Sequence, residues 1–252
     1  MNTQTTSRDA MKVGELTPST QDEALPFALM VLTVVTGLVD AISFLGLGRI
    51  FTANMTGNVV FLAFAVAGAP GLSISRSLTS LIAFLFGAIL GGCLAVAMAA
   101  TSRRRWLVAV AVAEAGLLFA AALVSIGINI GSETASRGVY GAIILTAVGM
   151  GLRNATVRRL AVPDMTTTVL TLTLTGLAAD SLLAGGSSPR MARRVASVLL
   201  MFIGAAVGAL LVRFSLPLPF VLSGALVLVT AGVFATVLKP RPGADGNGSV
   251  AH

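Results

Sequence analysis

Eight long runs of apolar residues, separated by short polar links, leave this chain very few folds to choose from. They extend over Phe27 to Leu47, Met55 to Ala69, Leu78 to Ala100, Trp106 to Ile126, Val139 to Leu152, Met165 to Leu183, Val195 to Val212 and Leu218 to Leu238. In hydrocarbon every backbone N–H and C=O must be satisfied internally, so a spanning chain is a helix or a closed barrel. Runs of Ala, Val, Leu, Ile and Gly near the ~20 residues that cross a bilayer read as helices, not as barrel strands. Charged residues make up 11% of the chain, against about 25% in soluble domains, and the mean hydropathy is +0.93. The expected fold class is an all-α integral membrane protein.

Two of the eight runs differ from the rest. The second is short, and the sixth is rich in threonine; GRIFTAN precedes one and VRRLAVPD the other, and both stretches resist regular helix. The distribution of basic residues tests whether these two runs cross the membrane, because cytoplasmic loops collect Lys and Arg. With eight crossings the two sides receive nine and eight basic residues, which is no bias. If the second and sixth runs instead dip in and return, the side holding both termini receives thirteen, including Arg103, Arg104, Arg105, Arg153, Arg158 and Arg159, and the other keeps Arg49, Arg76, Arg137 and Arg213. The expectation is therefore six transmembrane helices plus two re-entrant half-helix segments, with both termini cytoplasmic. Residues 1–25 read as a disordered cytoplasmic tail without a signal-peptide pattern, 26–238 as one membrane domain, and 239–252 as a second Pro/Gly-rich tail.

Self-similarity points the same way. TGLVDAIS (Thr36 to Ser43) resembles GMGLRNAT (Gly149 to Thr156), with Gly37 over Gly151, Asp40 over Asn154 and Ala41 over Ala155; MTGNVV (Met55 to Val60) lies over MTTTVL (Met165 to Leu170), and GAILGG (Gly87 to Gly92) lies over GAAVGA (Gly204 to Ala209). One repeat would cover about residues 27–126 and the other about 139–238. With one re-entrant segment in each, equivalent points are three crossings apart, so the expected relation is an inverted repeat of the kind on which many secondary transporters are built. The GxxxG pairs Gly87/Gly91 and Gly204/Gly208 mark close helix packing, either within the chain or in a homodimer.

The motif GLVDAISFLGLGRIFTANMTGN, followed in the second half by GLRNATVRRL and a Thr-rich segment, resembles the YoaK-like family of bacterial multi-spanning membrane proteins, a family defined without an assigned function. The resemblance covers nearly the whole membrane region and implies a bacterial inner-membrane location. It implies no substrate and no catalytic residues, so the site must be read from the residues themselves.

The polar stretch FTANMTGN (Phe51 to Asn58) belongs inside protein or beside a water-filled cavity, where irregular backbone is tolerated at membrane depth. Asn54 is placed to cap a half-helix starting at Met55, and Asp164 the corresponding one in the second half. Two helix starts converging near the midplane from opposite sides would form an anion site without a buried lysine or arginine. Its expected lining is Asn54, Thr56, Gly57, Asn58, Asn154, Asp164, Thr167 and Thr168, with Thr171 and Thr175 continuing the face begun by Asp164 and Thr168; threonines bonded back to their own helix are the plainer alternative. Asp40 and Glu114 lie within spans, where carboxylates are costly and mark ion pathways; Asp40 faces Asn154 in the alignment of the halves, which gives one half alone a titratable group there. Arg49 and Arg153 stand at the approaches to the dips.

These features describe a secondary transporter of a small, anionic solute, coupled to protons or sodium through Asp40 or Glu114. A channel and a non-catalytic scaffold or assembly factor are the alternative readings. Enzyme chemistry is not expected: the one histidine is His252, the one cysteine is Cys93, and no Ser/His or His-rich metal set exists, so no cofactor is expected. The net charge of +7 is dispersed over short loops and does not form a nucleic-acid surface.

Overall fold

The computed structural model describes residues 20–128, 137–160, 170–188 and 191–237. Within them the chain is helical, with no strand. The helices are α1 (Thr20–Gly46), α2 (Met55–Val66), α3 (Ile74–Ala97), α4 (Arg103–Val124), α5 (Arg137–Leu160), α6 (Leu170–Ala179), α7 (Met191–Val212) and α8 (Pro217–Val237). Five of them, α1, α3, α4, α7 and α8, are long and apolar enough to cross a membrane. Helix α5 matches them in length at 24 residues but carries Arg153, Asn154, Arg158 and Arg159. The two short ones, α2 with 12 residues and α6 with 10, reach about 18 and 15 Å at 1.5 Å per residue, well short of the ~30 Å hydrocarbon core.

Local chemistry fixes where the helices begin. Ser73 accepts from the amide of Arg76 at 3.3 Å and Ser102 from that of Arg105 at 3.4 Å, each occupying one of the free donors of a first turn. Helix α1 stops where Gly48 takes φ +101° and Arg49 φ +57°. A side chain on Gly48 would meet the Arg76 guanidinium as well as a strained backbone.

The main packing partners come in matched pairs. Helix α1 packs chiefly on α7 and α3 on α5, α4 packs on α8, α4 on α5 as α8 on α1, and α2 on α3 as α6 on α7. The match extends to atoms. A Cβ on Gly37 would strike the carbonyl oxygen of Met201 and the amide of Ala205; one on Gly151 would strike the carbonyl oxygen of Phe84 and the amide of Ala88. Gly204 lies against the backbone of Val34 as Gly87 lies against that of Val148, and Gly208 against Leu38 and Ala41 as Gly91 against Leu152 and Ala155. Lipid offers no hydrophobic drive for helices to associate, so close backbone approach through small residues is the means left. Both GxxxG pairs are thus buried inside the chain. Around them lies an apolar core that includes Leu29, Val35, Ile42, Met150, Phe220 and Val227.

Arg153 was expected in a loop after Leu152; instead α5 continues to Leu160, and Arg153 is 1% exposed. The helix tolerates it because its guanidinium is matched from three directions, as described below. Without it, the basic residues assigned to the terminal side number twelve.

Candidate functional site

The chain leaves α1 through Gly48 and Arg49, and Asn54 starts α2 by accepting from the Gly57 amide at 3.3 Å. The expected cap therefore forms. Asn58 is fully buried, and its amide is committed to the loop: Oδ1 accepts from the Phe51 amide at 2.8 Å, while Nδ2 donates to the Phe51 carbonyl and lies 3.1 Å from Ser80 Oγ. Ser80 Oγ donates to the same carbonyl at 2.7 Å. Asn58 is thus a latch that satisfies irregular backbone at depth and fastens α2 to α3. Phe51 stacks with Phe44 and Phe61, at centroid distances of 5.4 and 5.6 Å, and covers Gly57, where a Cβ would come within 2.7 Å of the ring. Asn54 and Thr56 are exposed on the same element. Because Asn58→Leu leaves the Phe51 amide without its acceptor and removes one of the donors to its carbonyl, it should cost about 2 kcal/mol or more. The check is the fraction of monodisperse protein recovered in detergent after a temperature step, with Val59→Leu on the exposed side of the same helix as the control.

Asp40 is 8% exposed. The backbone amides of Ala53 and Asn54 interact with its carboxylate, and its Oδ1 has no hydrogen-bond partner among the described residues. Asp40 therefore bears on the loop that starts α2. Asn154 donates to the Met150 carbonyl of its own helix at 2.8 Å. Asp164, Thr167 and Thr168 lie outside the described residues. On α6 the expected threonine face is not the packed one: Thr171 and Thr175 are exposed and Thr175 donates to the Thr171 carbonyl at 2.9 Å, whereas Thr173 is buried. Spacing alone could not separate these faces, because a threonine hydroxyl finds an acceptor in its own helix on either side. Arg194 donates to the Gly176 carbonyl and to Asp180, both at 2.7 Å, and so ties the end of α6 to α7.

The densest polar chemistry lies elsewhere. Glu114 on α4 and Arg153 on α5, each 2% exposed by side chain, form an ion pair through Arg153 Nη2. Arg153 Nη1 donates to the Leu32 carbonyl and to Thr36 Oγ1 of α1, both at 3.2 Å. Thr36 in turn donates to the Leu32 carbonyl at 2.9 Å. Arg153 Nε has no hydrogen-bond partner among the described residues. The pair borders a partly open cavity of about 20 Å³ lined by residues of α1, α4, α5 and α8, chiefly Leu29, Leu32, Val110, Ala111 and Phe234. Leu107 and Leu160 also line it, which places it near the end of the bundle where α4 begins with Arg103 to Arg105 and α5 finishes with Arg158 and Arg159. Sequence reading marked both charges but did not join them. The available signal was a lone acid and a lone arginine on separate apolar helices, each too costly in hydrocarbon to stand alone.

The family described as "Protein of unknown function (DUF1275)" matches residues 28–234. The chain is 35% identical over 155 residues to the UPF0700 transmembrane protein YoaK of Bacillus subtilis (strain 168). That match covers 60% of this chain and 65% of the relative, so the chain spans less than two thirds of that protein's length. No solved structure matches. A transmembrane relative and several long apolar helices make this a multi-pass membrane protein.

Proposed function

The chain belongs to the DUF1275 family, and from that premise we propose that it is a secondary transporter of a small, anionic solute, built from two halves of opposite orientation. The observation that carries this reading is the matched packing: exchanging α1–α4 for α5–α8 maps the principal contacts onto themselves, down to the atoms that face the glycine pairs Gly37/Gly151, Gly87/Gly204 and Gly91/Gly208. Each half contains one helix too short to cross, and two such halves around a common centre are how alternating-access carriers present one site to either side in turn. In this reading α2 and α6 belong to the re-entrant pieces, the solute passes between the halves, and Asp40 and Glu114 are the carboxylates available to couple proton or sodium movement. The protein lies in the bacterial inner membrane with both termini cytoplasmic, and its role involves no catalysis.

Two measurements bear on it. In a Cys93→Ser background, a cysteine at position 137 should react with a membrane-impermeant maleimide added from the periplasm, and one at position 104 should not; labelling at 104 overturns the orientation and the inverted halves together. For the activity, proteoliposomes adsorbed on a solid-supported membrane should give a transient current on a concentration jump of a small organic anion, absent from protein-free vesicles. Silence across small organic and inorganic anions, with no thermal stabilisation by any of them, overturns the transporter reading.

A further inference from the structure

We propose that the cleft bordered by Glu114 and Arg153 is the binding site for the carboxylate of a small aliphatic acid, and that Glu114 takes up that acid's proton as its carboxylate replaces Glu114 on Arg153. This rests on the transporter reading and assigns its solute class and its coupling proton.

Three features carry it. First, the cleft is bordered by residues of both halves, α1 and α4 from one, α5 and α8 from the other, which is where a carrier must hold its cargo. Second, its walls divide sharply. Glu114, Arg153 and Thr156 are its polar residues, their polar atoms turned almost wholly into the ion pair and the helices, and the remaining lining is aliphatic or aromatic; a ligand that takes the place of Glu114 on Arg153 has one anionic end and a short hydrocarbon body. Arg is the side chain suited to such an end, because its planar fork takes a carboxylate on two N–H groups. Its Nε lacks a hydrogen-bond partner among the described residues, while Glu114 already sits on Nη2 as an internal carboxylate. Third, the cleft lies at the helix ends that carry exposed Arg103, Arg105, Arg158 and Arg159, a rim that raises the local concentration of anions.

Charge balance then dictates the step. The resting pair is neutral. An anion added alone would leave a net negative charge in a dry site, which is costly. If R–COO⁻ enters together with one proton, the proton goes to a Glu114 carboxylate oxygen and R–COO⁻ accepts N–H bonds from Arg153. The site is neutral before and after. Among the described residues, Glu114 and Arg153 are the charged groups that line the cleft, and what α1, α4, α5 and α8 add to it is apolar apart from Thr156, so no second lining charge competes for the proton. The present volume of about 20 Å³ accommodates one water-sized group, and displacement of the Glu114 side chain supplies the room for the hydrocarbon body.

The test uses purified full-length protein and butyrate labelled with ¹³C at the carboxyl, which separates its infrared bands from those of the protein. Adding butyrate to the wild type should produce a protonated-carboxyl C=O band that is absent in Glu114→Gln. Wild-type affinity should fall as pH rises, because binding needs a proton. Glu114→Gln should bind butyrate about ten-fold more tightly, with a flat pH profile, because the internal competitor has gone. The doubly neutral Glu114→Gln/Arg153→Gln protein, which buries no unpaired charge, should not bind it. Butyrate binding without the new band, or with undiminished affinity in the double variant, overturns the proposal. Absence of butyrate binding, alongside currents driven by another anion, overturns it too and leaves the transporter reading standing. If Glu114→Gln does not fold, the wild-type band and pH profile decide alone.

Discussion

Arg153→Ala should abolish the recovery of folded protein, and Glu114→Leu combined with Arg153→Met should restore it. The single change strands Glu114, 2% exposed, with no other cation lining its cavity among the described residues, and removing one member of a buried pair costs about 3–5 kcal/mol. That is a large share of the ~5–15 kcal/mol that holds a typical fold together. The double change removes both desolvation penalties and fills the space with apolar atoms, which in other buried pairs is neutral or stabilising. The Leu32 carbonyl keeps the Thr36 hydroxyl as its donor in either variant, so the recovery does not depend on a new partner for it. The measurement is monodisperse yield and thermal midpoint in detergent for both singles, the double and the wild type. A coupling energy near zero would mean that the two side chains do not stabilise each other.

Gly87→Val and Gly204→Val should each destabilise by about 3 kcal/mol or more, and by similar amounts. The added Cβ in one meets the backbone of Val148, and in the other the backbone of Val34. A backbone atom cannot rotate away as a side chain can, so the helices must part, and every neighbouring contact along α3–α5 or α1–α7 loosens with them. Gly92→Val, on the same turn as Gly91 but with open space around it, should be neutral or stabilise by a few tenths of a kcal/mol, because valine is the better helix former. Thermal midpoints of the three variants check this. A Gly92 effect as large as that of Gly87 would point to chain stiffening, not helix contact, as the cause.

The apolar runs identified the membrane class, because hydrocarbon exposure writes itself into composition. The glycine registers were also legible: Gly87, Gly91, Gly204 and Gly208 stand out against larger neighbours, and the alignment of Gly37 with Gly151 paired the positions that prove to make equivalent contacts. What each glycine touches was not legible, since partner choice depends on how distant helices are brought together. Asn54 as a cap could be read from local spacing. Asn58 could not be read as a latch, because its donor and acceptors come from Phe51 and Ser80, and a polar residue in an apolar run looks the same whether it meets a ligand or the protein itself. Arg153 was misjudged for the opposite reason. A charge suggests a loop until its neutralising partner is known, and Glu114 lies on a separate helix.

The interlock of α1 with α7 also sets an order of events during synthesis. Gly37 is made well before the backbone it rests against, at Met201 and Ala205; at about 5–20 residues per second the interval is on the order of ten seconds. Through that interval α1 stands in the bilayer with a bare glycine notch and no mate, since its main contacts are with α7 and α8. The first half on its own is thus an unfinished object, and a chain cut short before Met191 leaves the Gly37 notch without the backbone that fills it.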